Sequence, residues 1–191
     1  MINKRLLLIV LLIFFPFKSL ALIEIDITRG NLNPLPLAVS SLASTESDKE
    51  KLKKDLNIND LGLEISKIVE NNLKKSGLFN PLDKEAFLQK PDIAHLKPRF
   101  EDWALIKAQA LITGKVNLQD NRLRVEFRLW DVLAGKEILA LAFTTVPKNW
   151  RRVGHIISDK VYERLTGEKG YLIQELFMLL KKVQKLKELK N

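Results

Sequence analysis

Two histidines are the side chains best suited to acid–base chemistry in this chain of 191 residues, which contains no cysteine. His155 stands four residues before Asp159, a spacing that on a helix brings a base within reach of an orienting carboxylate. His95 lies in a proline-flanked loop. Because an exposed contact between residues four apart on a helix is far commoner than a catalytic pair, we predict no catalytic residue and no enzyme.

Metal and cofactor chemistry have equally little support in the sequence. The absence of cysteine removes thiolate ligands, and two histidines with scattered carboxylates lack the spacing of a metal site. The segment from Gly167 to Gly170 is not a phosphate loop, because Lys169 lacks a preceding glycine-rich arc and a following Ser or Thr. We therefore predict neither a metal nor a cofactor.

The net charge of +9 suggests a nucleic-acid partner until it is divided along the chain. The first 21 residues carry +3, the residues after Gly170 carry another +3, and +3 remains between them. Arg122, Arg124 and Arg128 share one strand face, but Glu126 interrupts them. We predict a solvated sheet face there and no nucleic-acid partner.

The N-terminus has the pattern of a secretory signal peptide. Lys4 and Arg5 precede twelve mainly apolar residues, and Ser19-Leu20-Ala21 fits the small–any–small pattern of a cleavage site. A membrane-spanning helix needs roughly 20 apolar residues, which disfavours the alternative of an uncleaved anchor. We expect residues 1–21 to be removed after Ala21, leaving an exported, soluble protein.

Apolar and polar side chains alternate directly after this cleavage site, which indicates a strand with one apolar face. Ile23, Ile25 and Ile27 form the apolar face. A strand at a free chain end can pair within its own sheet or with the sheet edge of another protein, and both interpretations stay open. The predicted partner-binding segment comprises Leu22, Ile23, Glu24, Ile25, Asp26, Ile27, Thr28 and Arg29.

Two longer helices are predicted from apolar side chains at helical spacing. The first is capped by Asn59 and followed by Gly77; the second opens at Lys148-Asn149 and ends at Gly167. Residues 44–60 are polar and charged, and residues 44–50 are predicted to form an exposed loop. Short helical stretches are predicted at 84–89 and 100–107. The proline-spaced segment 34–39 is predicted to lead into a second short strand.

Three β-type runs with compact turns between them predict an antiparallel meander. They cover residues 109–118, 122–129 and 137–146, and the middle run alternates without interruption. The third run is apolar on both faces, which indicates a central or helix-covered strand. We predict an α/β (α+β) fold in which a mixed sheet containing this meander packs against the two main helices, with no β-propeller.

Five sequence blocks in family order resemble the N-terminal domain of the TolB family, in its alphaproteobacterial form. The resemblance runs from Ile23 to about Tyr171. Its blocks are Ile25 to Asn31 with Pro34 to Pro36, Ala108 to Gly114, Leu123 to Asp131, Asn149 to His155, and Leu165 to Gly170.

The resemblance implies a non-enzymatic periplasmic adapter of the bacterial Tol-Pal system, which supports outer-membrane integrity and cell division and is exploited in bacteriocin import. In this family, a segment after the signal peptide pairs with the C-terminal domain of TolA, and a following β-propeller binds Pal. Residues 22–33 hold the TolA-binding position, and residues 34–170 correspond to the α/β domain.

Residues 171–191 depart from the family pattern, in which a β-propeller follows the N-terminal domain. Without a propeller, Pal binding is expected to be lost. One set of codons that encodes Leu172 to Val183 encodes a sequence like the start of the propeller when a single T is added before it. We therefore hypothesise that the tail is a frameshift product. The tail also has the pattern of a basic amphipathic helix that could contact a membrane surface. A nonfunctional gene remnant and a basic-tailed membrane-surface protein therefore remain as alternatives.

Overall fold

The computed structural model describes residue 23 and residues 33–169, which form five strands and five α-helices. The predicted signal peptide, residues 24–29 of the predicted strand and the C-terminal tail lie outside the described residues. The elements are β1 (Leu35–Val39), α1 (Glu46–Leu56), α2 (Leu61–Lys75), β2 (Phe79–Pro81), α3 (Pro91–Ala94), α4 (Phe100–Leu105), β3 (Ala110–Gln119), β4 (Arg122–Asp131), β5 (Lys136–Thr145) and α5 (Trp150–Thr166).

The strands form one mixed sheet in the order β2-β1-β3-β4-β5. β1 runs parallel to both of its neighbours, with Leu37 opposite Ala110 of β3. β3, β4 and β5 are antiparallel and form the predicted meander. The mixed sheet, the meander and the two main helices confirm the predicted fold class, and the described residues form no closed barrel or propeller.

The main core lies between one face of the sheet and helices α2 and α5. Both helices contribute the apolar stripes that the sequence predicts, and Ile65, Leu73 and Leu165 have no measurable exposure. Burying a side chain of this size contributes about 1.5–3 kcal/mol. On β4, Leu123, Val125, Phe127 and Leu129 are all at most 1% exposed and face this core, which confirms the predicted alternation.

A smaller core lies on the opposite face of the sheet, beneath α3 and α4. Trp103 of α4 is its largest member and is 1% exposed. The prediction of a helix at 100–107 is confirmed in shortened form, whereas the stretch at 84–89 is reduced to a 3₁₀ turn at Lys84–Ala86. The proline-flanked segment that holds His95 contains α3, a short helix that the sequence analysis missed.

The prediction of an exposed loop at 44–50 is wrong, because α1 begins at Glu46 and occupies most of it. The Thr45 hydroxyl accepts a hydrogen bond from the Asp48 amide, and Asn57 ends the helix in the left-handed conformation. Leu52, which is 1% exposed, anchors the helix to the core. The helix was missed because a single buried leucine among charged residues forms no apolar stripe. The Thr-x-x-Asp capping pattern is nevertheless present in the sequence.

Two further expectations are corrected by the structure. Asp60, rather than Asn59, caps α2, because its carboxylate accepts the Leu63 amide at 2.8 Å. β5 is an edge strand rather than a central one, and Ala140, Ala142 and Thr144 are exposed on one face.

Within the described ranges, no helix is long and apolar enough to cross a membrane.

Candidate partner-binding site

Ile23 is the member of the predicted partner-binding segment that the structure describes. It is half-buried and packs against the main core. Its amide donates a hydrogen bond of 3.2 Å to Oδ2 of Asp131, at the end of β4. Ile23 is therefore attached to the domain at the end of the sheet where β4 stops and β5 begins. Leu22 and residues 24–29 lie outside the described residues, as does Ala21.

Asp131 is a buried carboxylate, 3% exposed, that uses both oxygens. Oδ1 accepts the Ala134 amide at 2.8 Å and so braces the turn between β4 and β5, which Gly135 completes with a φ of 61°. Oδ2 holds Ile23. The sequence analysis missed this residue, although an Asp placed before a turn commonly accepts a nearby backbone amide.

His155 lies in the seam between α2 and α5 and is half-buried, so the expectation that it is exposed is wrong. Its Nδ1 is 2.9 Å from Nδ2 of Asn72 on α2, and the same amide donates to the Ser158 hydroxyl at 3.1 Å. Because the amide donates, Nδ1 accepts and the imidazole proton sits on Nε2. Burial lowers the pKa of His155 against the opposing charge of Asp159, which is itself buried. The group is a structural hydrogen-bond acceptor.

The exposed face of the meander carries paired charges, as expected for a solvated sheet face. Arg124 lies 2.8 Å from Glu126, and Arg128 lies 3.2 Å from Glu137. The hydrogen bond from Arg124, supported by the charge of Lys115, lowers the pKa of Glu126. The arginine charges are therefore partly neutralised by their neighbours.

The described residues also hold no cluster of three or more metal-ligating side chains.

The order of strands, the two helices on one face and the charged opposite face define an α/β domain of the kind found at the amino terminus of TolB proteins. The profile of the TolB amino-terminal domain matches residues 23–138, and the chain belongs to this family.

Two known proteins are similar to the chain. It is 68% identical over 184 residues to the Tol-Pal system protein TolB of Pelagibacter ubique (strain HTCC1062), a match that covers 96% of this chain and 41% of that relative. The matched stretch therefore extends past Gly170. The crystal structure of TolB from Acinetobacter baumannii shares the fold at 19% identity and a TM-score of 0.57, over 78% of this chain and 32% of that one.

Proposed function

We propose that the protein is a non-enzymatic periplasmic adapter of the Tol-Pal system, and that its N-terminal strand adds to the sheet of the C-terminal domain of TolA. The similarity to a Tol-Pal system protein carries this proposal. The alternation of Ile23, Ile25 and Ile27 with polar residues supports it, because strand addition needs main-chain pairing and a row of side chains for one face. The contact of Ile23 with Asp131 provides an attachment point for such a strand.

The affinity of the exported chain for the purified TolA domain, measured by calorimetry, tests the proposal. The double variant Ile25→Asp, Ile27→Asp removes the apolar face and should weaken binding by at least about tenfold. The matched control Glu24→Ser, Asp26→Asn changes the opposite face and should bind almost normally. Unchanged affinity in the isoleucine variant would rule out the strand assignment.

The alternatives predict different results. A folded chain that does not bind the TolA domain at all would favour a gene remnant. Sedimentation with anionic vesicles that depends on the residues after Tyr171 would favour a membrane-surface protein. The DNA downstream of the reading frame tests the frameshift hypothesis, which predicts a propeller-like sequence in a shifted frame.

A further inference from the structure

A cleft opens beside β3, on the side of the sheet away from α2 and α5. Its volume is about 390 Å³, within the range of ligand-binding clefts. A smaller space of about 100 Å³ adjoins it through the shared residues His95 and Lys115. The cleft is lined by Ala43, Ser44, Thr45, Asp48, Asp92, His95, Lys115, Val116 and Asn117.

Two buried oxygen atoms in the lining residues lack partners. Oγ of Ser44 and Oδ1 of Asn117 are inaccessible to solvent, and neither forms a hydrogen bond. Leaving a polar atom buried and unpaired costs about 1–3 kcal/mol, so such atoms are uncommon in folded proteins. Both oxygens can accept a hydrogen bond, but because solvent does not reach them, a ligand in the cleft would meet them only if these side chains turned.

The edge of β3 next to these atoms is also open. β1 ends at Val39. The chain stays beside β3 only as far as Ala43, whose carbonyl accepts the Val116 amide at 2.7 Å. β3 runs on to Gln119. Because the amide and carbonyl of one strand residue point to the same side, the carbonyl of Val116 and the amide of Leu118 face the side that β1 has left. No described strand lies opposite them, so the edge can accept another strand.

Charge around the cleft favours a basic side chain. Asp48 and Asp92 contribute carboxylates that make no ion pair among the described residues. The two nearby lysines are already engaged, since Lys49 pairs with Glu46 at 2.8 Å and Lys115 lies 3.5 Å from Glu126. A lysine or arginine of a bound peptide would complement the remaining carboxylates.

From the open edge and the carboxylates of Asp48 and Asp92, we propose that this cleft binds an extended peptide segment that bears a basic side chain. The peptide extends β1 along β3, and its backbone pairs with the carbonyl of Val116 and the amide of Leu118. This site is separate from Ile23 and Asp131, and it does not depend on the proposed TolA pairing.

Titration of the full chain with the probe acetyl-Thr-Val-Lys-Val-Thr-amide, followed by amide NMR, tests the proposal. We expect saturable shifts at residues 115–119 and at the side-chain amide of Asn117. Replacing lysine with norleucine should weaken binding, and replacing it with glutamate should weaken it further. A backbone N-methylated peptide should bind with an affinity at least about fivefold lower, because it cannot form backbone hydrogen bonds with the edge of β3.

Protein variants provide a second measure. Asp48→Asn with Asp92→Asn should weaken the lysine peptide about threefold to fivefold and leave the norleucine peptide unchanged. The control Glu50→Gln with Asp55→Asn neutralises two exposed carboxylates of α1 and should change neither affinity. The absence of saturable shifts, equal binding of the lysine and glutamate peptides, or full binding of the N-methylated peptide would overturn the proposal.

Discussion

The side-chain amide of Asn72 on α2 donates to Nδ1 of His155 on α5 across a distance of 2.9 Å. Asn72 is 8% exposed, and its second amide hydrogen is used by Ser158, which in turn donates to the carbonyl of Gly154. The network joins the two helices that cover the sheet. It works only while the imidazole is neutral, because a protonated Nδ1 would present a second donor to the amide.

Folding stability should therefore fall in mild acid. Burial, together with Lys75, lowers the pKa of His155 from its ordinary value of 6.5, against the attraction of Asp159. The unfolded chain then takes up a proton first, so stability is complete above about pH 6.5 and declines as the pH falls towards the folded-state pKa. Thermal unfolding between pH 7.5 and pH 5 measures this decline.

His155→Gln keeps an acceptor but cannot titrate, and it should flatten this part of the pH profile. His95→Gln is the matched control and should keep the slope of the wild type, since the His95 ring hydrogen-bonds the carbonyl of Asp92 and takes no part in the network between α2 and α5. An unchanged slope in the His155 variant would show that other groups cause the decline.

Gly154 permits close packing of α5 on Ile68 of α2. A Cβ at this position would lie 2.9 Å from Cγ2 and 3.0 Å from Cβ of Ile68. Alanine gains about 1 kcal/mol in helix propensity, but overpacking costs about 1–3 kcal/mol. We expect Gly154→Ala to lower the free energy of unfolding by about 1 kcal/mol, as measured by urea denaturation.

The double variant with Ile68→Ala makes room for the new methyl group. In a double-mutant cycle, the combined loss should be smaller than the sum of the single losses by about 0.5 kcal/mol or more. Additive losses would mean that the contact with Ile68 does not limit this position.

Gln89 fixes the segment between β2 and α4 through three hydrogen bonds. Its Oε1 accepts the Arg99 amide at 3.0 Å and the indole of Trp103 at 3.1 Å, and its Nε2 donates to the Lys97 carbonyl at 3.0 Å. Gln89→Leu would leave these buried groups unpaired and should cost about 2–3 kcal/mol in the free energy of unfolding. Gln119→Leu, at an exposed position, should change it by less than about 0.5 kcal/mol.

The sequence predicted those elements whose neighbours are local. The apolar stripe of α2 and the alternation of β4 follow from the spacing of apolar residues alone, because each element packs one face against a single apolar core. The edge position of β5 depends on β1 entering beside β3 from a distant part of the chain, and alanines 140 and 142 suit either an exposed or a buried face. His155 was placed on the exposed side of α5 because a helical pattern cannot show a polar partner such as Asn72 on another helix.

The same limit explains why Asp131 was missed, since Ile23 lies 108 positions away along the chain. Its carboxylate satisfies the amides of Ile23 and Ala134, and alanine would satisfy neither. We expect Asp131→Ala to cost about 1–3 kcal/mol in the free energy of unfolding and to speed hydrogen exchange at the Ile23 amide by about fivefold or more. Asp131→Asn can accept only through one oxygen, so it should weaken one of the two contacts. Asp120→Ala, at an exposed position of the β3–β4 turn, is the control and should leave the exchange of Ile23 unchanged. If Ile23 exchanges at the same rate in all of these folded variants, Asp131 does not hold the N-terminal segment.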